Sequence, residues 1–258
     1  MKGRRRARMP VPDLFRRNGV RIPRLTENSL KRVLPPLLAA CAFLSLCSAP
    51  SLAADSKRQT YGEAMDWYRA QAEAGDAKAQ FYYGLALERG AQGTKGEADK
   101  AQAVELYKKA AEGGFALAQY RLGVLYQIGQ GVDRSLPLAR KWFGAAAEAG
   151  LREAEFNYAV MLETGSGGKR DPKEAARLYE ISAGKGVRQA FLPLGILYAR
   201  GEGVDQDLVE ALKWLILAER ADAEGVAPAM RAVRGALDDK GQAEALKGAE
   251  AWRMTLPE

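Results

Sequence analysis

The sequence predicts an all-α protein, an α/α superhelical solenoid of about four two-helix repeats with helical end caps. The first observation is an apolar pair, Trp or Leu followed by an aromatic or apolar residue, that recurs along the chain. The second is that a Gly follows most copies eight positions after their first residue. The third is a period of 36 residues between the later copies, which is typical of a solenoid whose units bury apolar faces against their neighbours. The copies are Trp67-Tyr68, Leu106-Tyr107, Trp142-Phe143, Leu178-Tyr179 and Trp214-Leu215.

The first element is a half-unit at residues 60–75, which has the pattern of a second helix with no first helix before it. Thr60 and Glu63 form the capping box that would start this helix. Solenoids need such atypical ends, because an ordinary unit at the end of the array would leave apolar surface open. We expect the repeats themselves to occupy residues 76–222.

The first helix of each unit carries Ala, then Leu-Gly, then Tyr, as in Ala118, Leu122, Gly123 and Tyr126. Apolar residues spaced by four lie on one face of a helix, and the Gly between them lets a neighbouring helix approach closely. A more degenerate copy has Ala159 in place of the Gly.

Glycine pairs such as Gly201 and Gly203 end the first helices, because a helix C-terminus often needs a left-handed residue. The second helices then begin at capping residues, for which we expect Asp99, Ser135, Asp171 and Asp207. The first unit has an insertion, residues 92–98, in the loop between its helices. The array ends at Asp222, which stands where earlier units have Gly, and residues 223–258 predict C-terminal capping helices.

The complete motif runs almost unbroken over residues 118–150 and 190–218. It is Ala-x-x-x-Leu-Gly-x-x-Tyr-x-x-Gly-x-Gly-Val, followed by Asp…Ala-x-x-Trp-Tyr-x-x-Ala-Ala-x-x-Gly. In this the chain resembles the Sel-one-like repeat family, relatives of the tetratricopeptide repeats. The resemblance covers residues 60–222 and is to the exported bacterial members of the family. It implies a right-handed superhelix. It also implies a non-enzymatic protein–protein interaction module, a scaffold or regulator, whose partner the fold does not identify.

The N-terminal residues predict export. Residues 1–32 are a basic extension with eleven basic and two acidic residues, a net charge of +9, so the rest of the chain nets −2 of the total of +7. Residues 33–54 carry no charge, and their apolar run ends in small residues. This order is typical of a secretory signal peptide. We expect cleavage after Ala53 or Ala54 and a periplasmic or secreted product without a stable membrane span.

Three alternatives stay open for this leader. One is a permanent membrane anchor, although Pro35, Pro36 and Pro50 interrupt the apolar run. Another is a lipoprotein acylated at Cys41, where the preceding Leu-Ala-Ala fits a lipobox. The third is a translation start near Val20 or Leu25, which would shorten the basic extension and give a leader of ordinary length.

The residues after position 54 contain neither Cys nor His. Thiol nucleophiles, Ser-His-Asp triads, histidine bases and ordinary zinc sites are therefore excluded there. We expect no catalytic residue, no cofactor and no metal, and a net charge near −2 does not favour nucleic acid as a partner. We also expect a monomer. The alternative from another class is an envelope enzyme or ligand-binder that acts on peptidoglycan or a peptide through carboxylates such as Glu88, Glu163 and Asp205.

The remaining functional signal is a surface for an unknown protein or peptide partner. By resemblance to tetratricopeptide arrays, the first helices line the concave side, and one of their positions forms an aromatic and apolar row. That row is Phe81, Tyr120, Phe156 and Leu192. The polar residues beside it are Glu88, Arg89, Gln127, Glu163 and Arg200. Such a surface suits an extended peptide or a partner helix, and we expect Tyr120 and Phe156 to be only partly buried. The other interpretation is that the aromatic row is core, since helical periodicity alone does not separate the two.

Overall fold

The computed structural model describes residues 61–90 and 97–253, and the regular elements within these ranges are eleven α-helices and one 3-10 turn. The turn, Arg188–Ala190, leads directly into the eighth helix. In chain order the helices are α1 (Tyr61–Glu73), α2 (Ala77–Glu88), α3 (Glu97–Glu112), α4 (Ala116–Ile128), α5 (Leu136–Glu148), α6 (Arg152–Thr164), α7 (Pro172–Gly184), α8 (Phe191–Arg200), α9 (Leu208–Arg220), α10 (Val226–Gly235) and α11 (Asp239–Arg253).

The helices from α2 to α9 form four units, each made of a first and a second helix. The units are α2–α3, α4–α5, α6–α7 and α8–α9, and the two helices of each unit pack against each other. Each second helix also contacts the first helix of the next unit, so that buried apolar residues recur from unit to unit. The prediction of an all-α solenoid of about four two-helix repeats is confirmed.

A Gly on three of the first helices lies where the second helix of the same unit crosses it. A Cβ atom on Gly123 would lie 2.7 Å from the Phe143 ring, and one on Gly195 would lie 2.9 Å from the Leu215 side chain. Because Cβ atoms do not approach other heavy atoms so closely, a larger residue at either position would force the packed side chain or the helix to shift. The third unit has Ala159 at the same register, where it is fully buried. The close crossings expected from the Leu-Gly motif are therefore present.

The second Gly of the Gly-x-Gly loops contacts the preceding unit. Gly167 and Gly203 have φ angles of +74° and +78°, in the left-handed region that favours Gly. A Cβ atom on Gly203 would lie 2.6 Å from the backbone nitrogen of Lys173 and closer still to the carbonyl of Pro172. Gly167 lies in the same way against the backbone of Leu136. Each loop is therefore seated on the start of the second helix of the preceding unit, α5 for Gly167 and α7 for Gly203.

Side-chain caps start the second helices of three units, as expected. Asp171 and Asp207 accept hydrogen bonds from backbone N–H groups of the first turn at 2.9–3.0 Å, and Ser135 does so at 3.4 Å. These bonds satisfy donors that the helix itself leaves unpaired. The prediction for Asp99 is wrong, because α3 begins at Glu97 and Asp99 lies inside its first turn.

The C-terminal end of the array is closed by α10 and α11, which both contact α9. Trp252 of α11 packs on Phe191 and Trp214, with ring centroids 5.0 and 5.4 Å away. Asp222, in place of the usual Gly, has a φ of +54°. Asp is one of the few residues whose short polar side chain tolerates this conformation. The last unit thus keeps the backbone turn of the earlier units while its outer face is covered.

The N-terminal end is formed by α1, which contacts α2 and has no first helix before it within the described ranges. The predicted leader (residues 1–54), the cap at Thr60 and most of the insertion (residues 92–96 of 92–98) lie outside those ranges. None of the helices that the structure describes is long and apolar enough to cross a membrane.

Candidate partner-binding site

The four first helices place equivalent residues in rows, because residues at one register occupy equivalent places in successive units. The reference residue of each helix is the one at its crossing with the second helix: Gly84, Gly123, Ala159 or Gly195. The predicted aromatic row lies three positions before this crossing residue, and the predicted polar residues lie four or five positions after it.

The aromatic row alternates between core and half-buried places. Phe81 and Phe156 are 5% and 8% exposed, and each ring packs against the Tyr of its own second helix with centroids 5.6 and 5.8 Å apart. Tyr120 and Leu192 are half-buried. The expectation that Phe156 is only partly buried is therefore wrong, because its ring fills the space beside the helix crossing. For Phe81 and Phe156 the structure favours the core interpretation.

Glu88 and Glu163, four positions after the crossing, accept hydrogen bonds from tyrosines of their own units. Tyr107 donates to Glu88 at 2.7 Å, and Tyr179 donates to Glu163 at 2.8 Å. The other carboxylate oxygen of Glu88 pairs with Arg121 on the first helix of the next unit. These carboxylates therefore connect helices inside the array, and Tyr107 and Tyr179 are contributors that sequence reasoning missed.

The residue at the acceptor position of the first helix, four positions after the crossing, varies with the residue that faces it on the second helix. The two units with a Tyr on the second helix have Glu on the first, whereas the Phe143 unit has Gln127 and the Leu215 unit has Ala199. In the Phe143 unit the Gln127 Oε1 has no hydrogen-bond partner among the residues the structure describes. Buried hydroxyl groups need an acceptor, so a Glu appears where there is a Tyr to satisfy. This co-occurrence at fixed register is the sequence signal that would have revealed the pairs.

Glu163 lies in an enclosed network and not in an open groove. Burial raises the pKa of its carboxyl group, while the Tyr179 hydrogen bond and the charge of Arg170 partly oppose this rise. Arg170 also donates to the main-chain oxygen of Glu163 at 2.7 Å and pairs with Glu202, which lies 3.7 Å from Arg200. A raised carboxyl pKa can mark a general acid. Here the acid is bonded to a core tyrosine, and this geometry favours a structural acceptor over a group that meets a substrate.

The row five positions after the crossing is accessible in all four units. Its residues are Arg89, Ile128, Thr164 and Arg200. The first three are exposed and Arg200 is half-buried. Ile128 is 41% exposed, which is unusual for a large aliphatic side chain. We define the first-helix face as this row together with the half-buried residues at neighbouring positions: Arg89, Tyr120, Gln127, Ile128, Thr164, Leu192 and Arg200.

Five of the nine predicted site residues belong to the first-helix face. The other four, Phe81, Glu88, Phe156 and Glu163, pack against or hydrogen-bond to tyrosines of the second helices. The face presents guanidinium, amide and hydroxyl groups together with aliphatic and aromatic surface, a combination that suits binding of a polypeptide. Within residues 61–90 and 97–253, no group of three or more acidic side chains is placed to hold a metal ion.

Comparison with known proteins gives the family. The Sel1 repeat model matches residues 77–115, 116–151, 152–187 and 194–222. A Sel1 repeat protein from Oxalobacter formigenes is 31% identical over 76% of this chain and 79% of its own, with a TM-score of 0.53. The protective antigen c5321 of uropathogenic Escherichia coli strains, which displays an SLR fold, is 30% identical over 78% of this chain, with a TM-score of 0.62. This chain spans only 42% of the length of c5321. No curated protein matches the chain.

The matched ranges follow the structural units. The ranges 116–151 and 152–187 each begin at a first helix, α4 or α6, and end just after the turn that follows the second helix. Sel1 repeat proteins are generally protein-interaction modules. By its motifs, its fold and these matches, the chain belongs to the Sel1 repeat family.

Proposed function

We propose that this protein is a non-enzymatic interaction module of the bacterial cell envelope, a scaffold or regulator that binds a peptide or protein segment on the first-helix face. The observation that carries the proposal is the row Arg89, Ile128, Thr164 and Arg200, which is accessible at the same register in each of four units. A surface repeated along one direction suits a partner that is extended in that direction.

The side chains of this row indicate the chemistry of the segment. Arg89 in the first unit and Arg200 in the fourth are cations, and guanidinium groups bind carboxylates well. Between them, Ile128 is 41% exposed and Tyr120 is half-buried, so they supply the apolar anchor that binding surfaces usually need. We expect a segment in which acidic residues flank an apolar residue.

The envelope part of the proposal is supported by the leader. Residues 1–32 carry a net charge of +9, and the uncharged segment 33–54 ends in small residues before the expected cleavage site. The residues after position 54 contain no Cys. Their folding would therefore not depend on the oxidising conditions of the compartment.

In-cell photo-cross-linking tests the binding surface and the compartment together. A photoreactive phenylalanine analogue replaces Ile128 in one variant and Leu246 in another, because Leu246 is a similarly exposed residue, at 44%, on α11. We expect a defined cross-linked partner from position 128 and not from position 246, recovered in the periplasmic fraction. Cross-linking from position 246 alone would refute the assignment of the surface, and recovery only in the cytoplasm would refute the envelope assignment.

A further inference from the structure

The N-terminal helix α1 has one uncovered face. The equivalent face is covered in all the remaining second helices. On α1, residues Ala64, Trp67, Tyr68 and Gln71 lie three or four positions apart, so they share one side of the helix. Trp67 is 54% exposed, and the other three are half-buried. This set, the α1 open face, is separate from the first-helix face, and its interpretation rests on the proposed function only in the removal of the leader.

The equivalent face of α3 shows what normally covers it. Ala103, Tyr107 and Ala110, which correspond to Ala64, Tyr68 and Gln71, are at most 1% exposed. They are covered by α2, whose Gly84 lies at the crossing with them. The occupant of this face is thus a helix in every complete unit, and in α1 that helix is missing from the described part of the chain.

The repeat also indicates the side chains of the missing helix. In the two units whose second helix has a Tyr, the covering helix carries Phe, then Gly or Ala three positions later, then Glu after four more. The Phe packs on the Tyr ring, the small residue allows the crossing, and the Glu accepts the Tyr hydroxyl. Tyr68 occupies the register of these tyrosines. A helix that covers Tyr68 should therefore carry the same pattern.

We propose that the α1 open face docks a helix of another protein that carries the pattern Phe-x-x-Gly/Ala-x-x-x-Glu, with the Glu accepting a hydrogen bond from Tyr68. With the leader removed after Ala54, only residues 55–60 precede α1. Six residues are too few to form the covering helix, since isolated helices shorter than about 12 residues are marginal. A protein cleaved after Ala54 would then need a helix from another protein to complete this unit.

Gln71 indicates that the docking is reversible. The other second helices have Ala110, Ala146, Ser182 or Ala218 at this register, and all four are fully buried. A long polar side chain at this one position can be solvated when the face is empty and can hydrogen-bond at the edge of a docked helix. The face is therefore compatible with water as well as with a partner, as in interfaces that form and dissociate.

A helical peptide with the sequence of residues 152–164 tests the proposal, because it contains Phe156, Ala159 and Glu163 at the required spacing. A lactam bridge joining the positions of Ala154 and Tyr158 holds it helical on the side away from these three residues, and circular dichroism verifies its helicity. Binding of the labelled peptide to the full chain is measured by fluorescence anisotropy, with circular dichroism as the check on folding of each variant.

We expect a dissociation constant in the micromolar range and a loss of at least tenfold in Trp67→Ala, since exposed aromatic anchors dominate such contacts. Leu246→Ala, at the other end of the array, should bind like the wild type. Tyr68→Phe and a Glu163→Gln peptide should each weaken binding severalfold, and combining them should cost less than the product of the two. That coupling reports the direct hydrogen bond, which a merely structural role of Tyr68 would not produce.

Three results would overturn the proposal. The first is absence of binding at 1 mM peptide, or equal binding by the wild type and Trp67→Ala. The second is a concentration-dependent dimer, seen by analytical ultracentrifugation and lost in Trp67→Ala, which would assign the face to a second copy. The third is retention of residues 1–54 in the mature protein, seen as its intact mass, together with binding only after those residues are removed, which would assign the face to the chain's own leader. Each of these results leaves the cross-linking outcome at Ile128 unaffected, so failure of this proposal is distinguishable from failure of the surface assigned to Ile128.

Discussion

The Gly203→Ala variant tests whether the Gly203 loop packs tightly on the preceding unit. Its cost has two parts, which are the strain of a left-handed backbone and the steric contact of the new Cβ atom. The matched control is Gly186, which has a similar φ of +87° but nothing within 4 Å of a Cβ atom placed on it. At Gly203, by contrast, the Cβ would lie 2.6 Å from the Lys173 backbone nitrogen and closer still to the Pro172 carbonyl. The two alanine variants therefore share the backbone cost and differ in the contact with the preceding unit.

The magnitudes follow from these two contributions. A left-handed conformation costs an Ala residue about 1–2 kcal/mol relative to its preferred conformations, so Gly186→Ala should lower the free energy of unfolding by about that amount. Gly203→Ala adds overpacking against rigid backbone, typically about 1–3 kcal/mol more. The total of about 2–5 kcal/mol corresponds to a fall in Tm of roughly 4–20 °C for a chain of this size.

Urea unfolding followed by circular dichroism measures both variants. The slope of the transition must be compared as well as its midpoint, because repeat arrays can unfold in parts and a changed slope would reveal this. Equal stability of Gly203→Ala and Gly186→Ala would refute the argument that the loop is seated on the preceding unit. Gly167→Ala, whose Cβ would meet the backbone of Leu136, should behave like Gly203→Ala.

Three further predictions concern single side chains. Asp222→Gly should raise the free energy of unfolding by about 0.5–1 kcal/mol, because Gly adopts the observed φ of +54° without the Cβ cost; an unchanged urea midpoint would contradict this. Phe156→Ala should cost about 3–5 kcal/mol as a core truncation. Tyr120→Ala should cost roughly 1–2 kcal/mol because its side chain is only half-buried, and equal costs in urea would show that the two rings occupy similar places. Burial raises the pKa of Glu163, so its carboxyl contributes stability below its unfolded pKa near 4.5, and this is lost as the pH rises through the folded pKa. Glu163→Gln removes that loss, and its stability relative to the wild type should increase from pH 4 to pH 7; a constant difference would refute the assignment.

The repeat architecture was predictable because its signals are local and recur. Gly123 marks a helix crossing, Gly203 marks a left-handed turn, and Asp171 marks a helix start, and each of these roles depends on the residue and its immediate neighbours. Repetition at a fixed period then made one interpretation apply to every unit. Asp99 shows the limit of this reasoning, since the insertion before it changes where α3 begins.

The candidate site was only partly predictable because burial depends on two neighbouring helices at once. Phe156 and Tyr120 have the same register, yet Phe156 is buried and Tyr120 is half-buried. Helical periodicity gives the direction of a side chain relative to its own axis, and it does not report how closely the next unit packs. Glu163 illustrates the same limit, because its role depends on Tyr179, a residue on the following helix that a reading of single residues does not connect to it.

The packing of Gly167 and Gly203 on the preceding units implies an order in which the units can fold. A chain that is synthesised from its N-terminus presents α5 before the Gly167 loop and α7 before the Gly203 loop. The helix start on which each loop packs is therefore synthesised before the loop itself. The array can then fold one unit at a time in the order of synthesis. Loss of the last units would leave every remaining loop in place, whereas loss of an early unit would remove the support of the unit behind it.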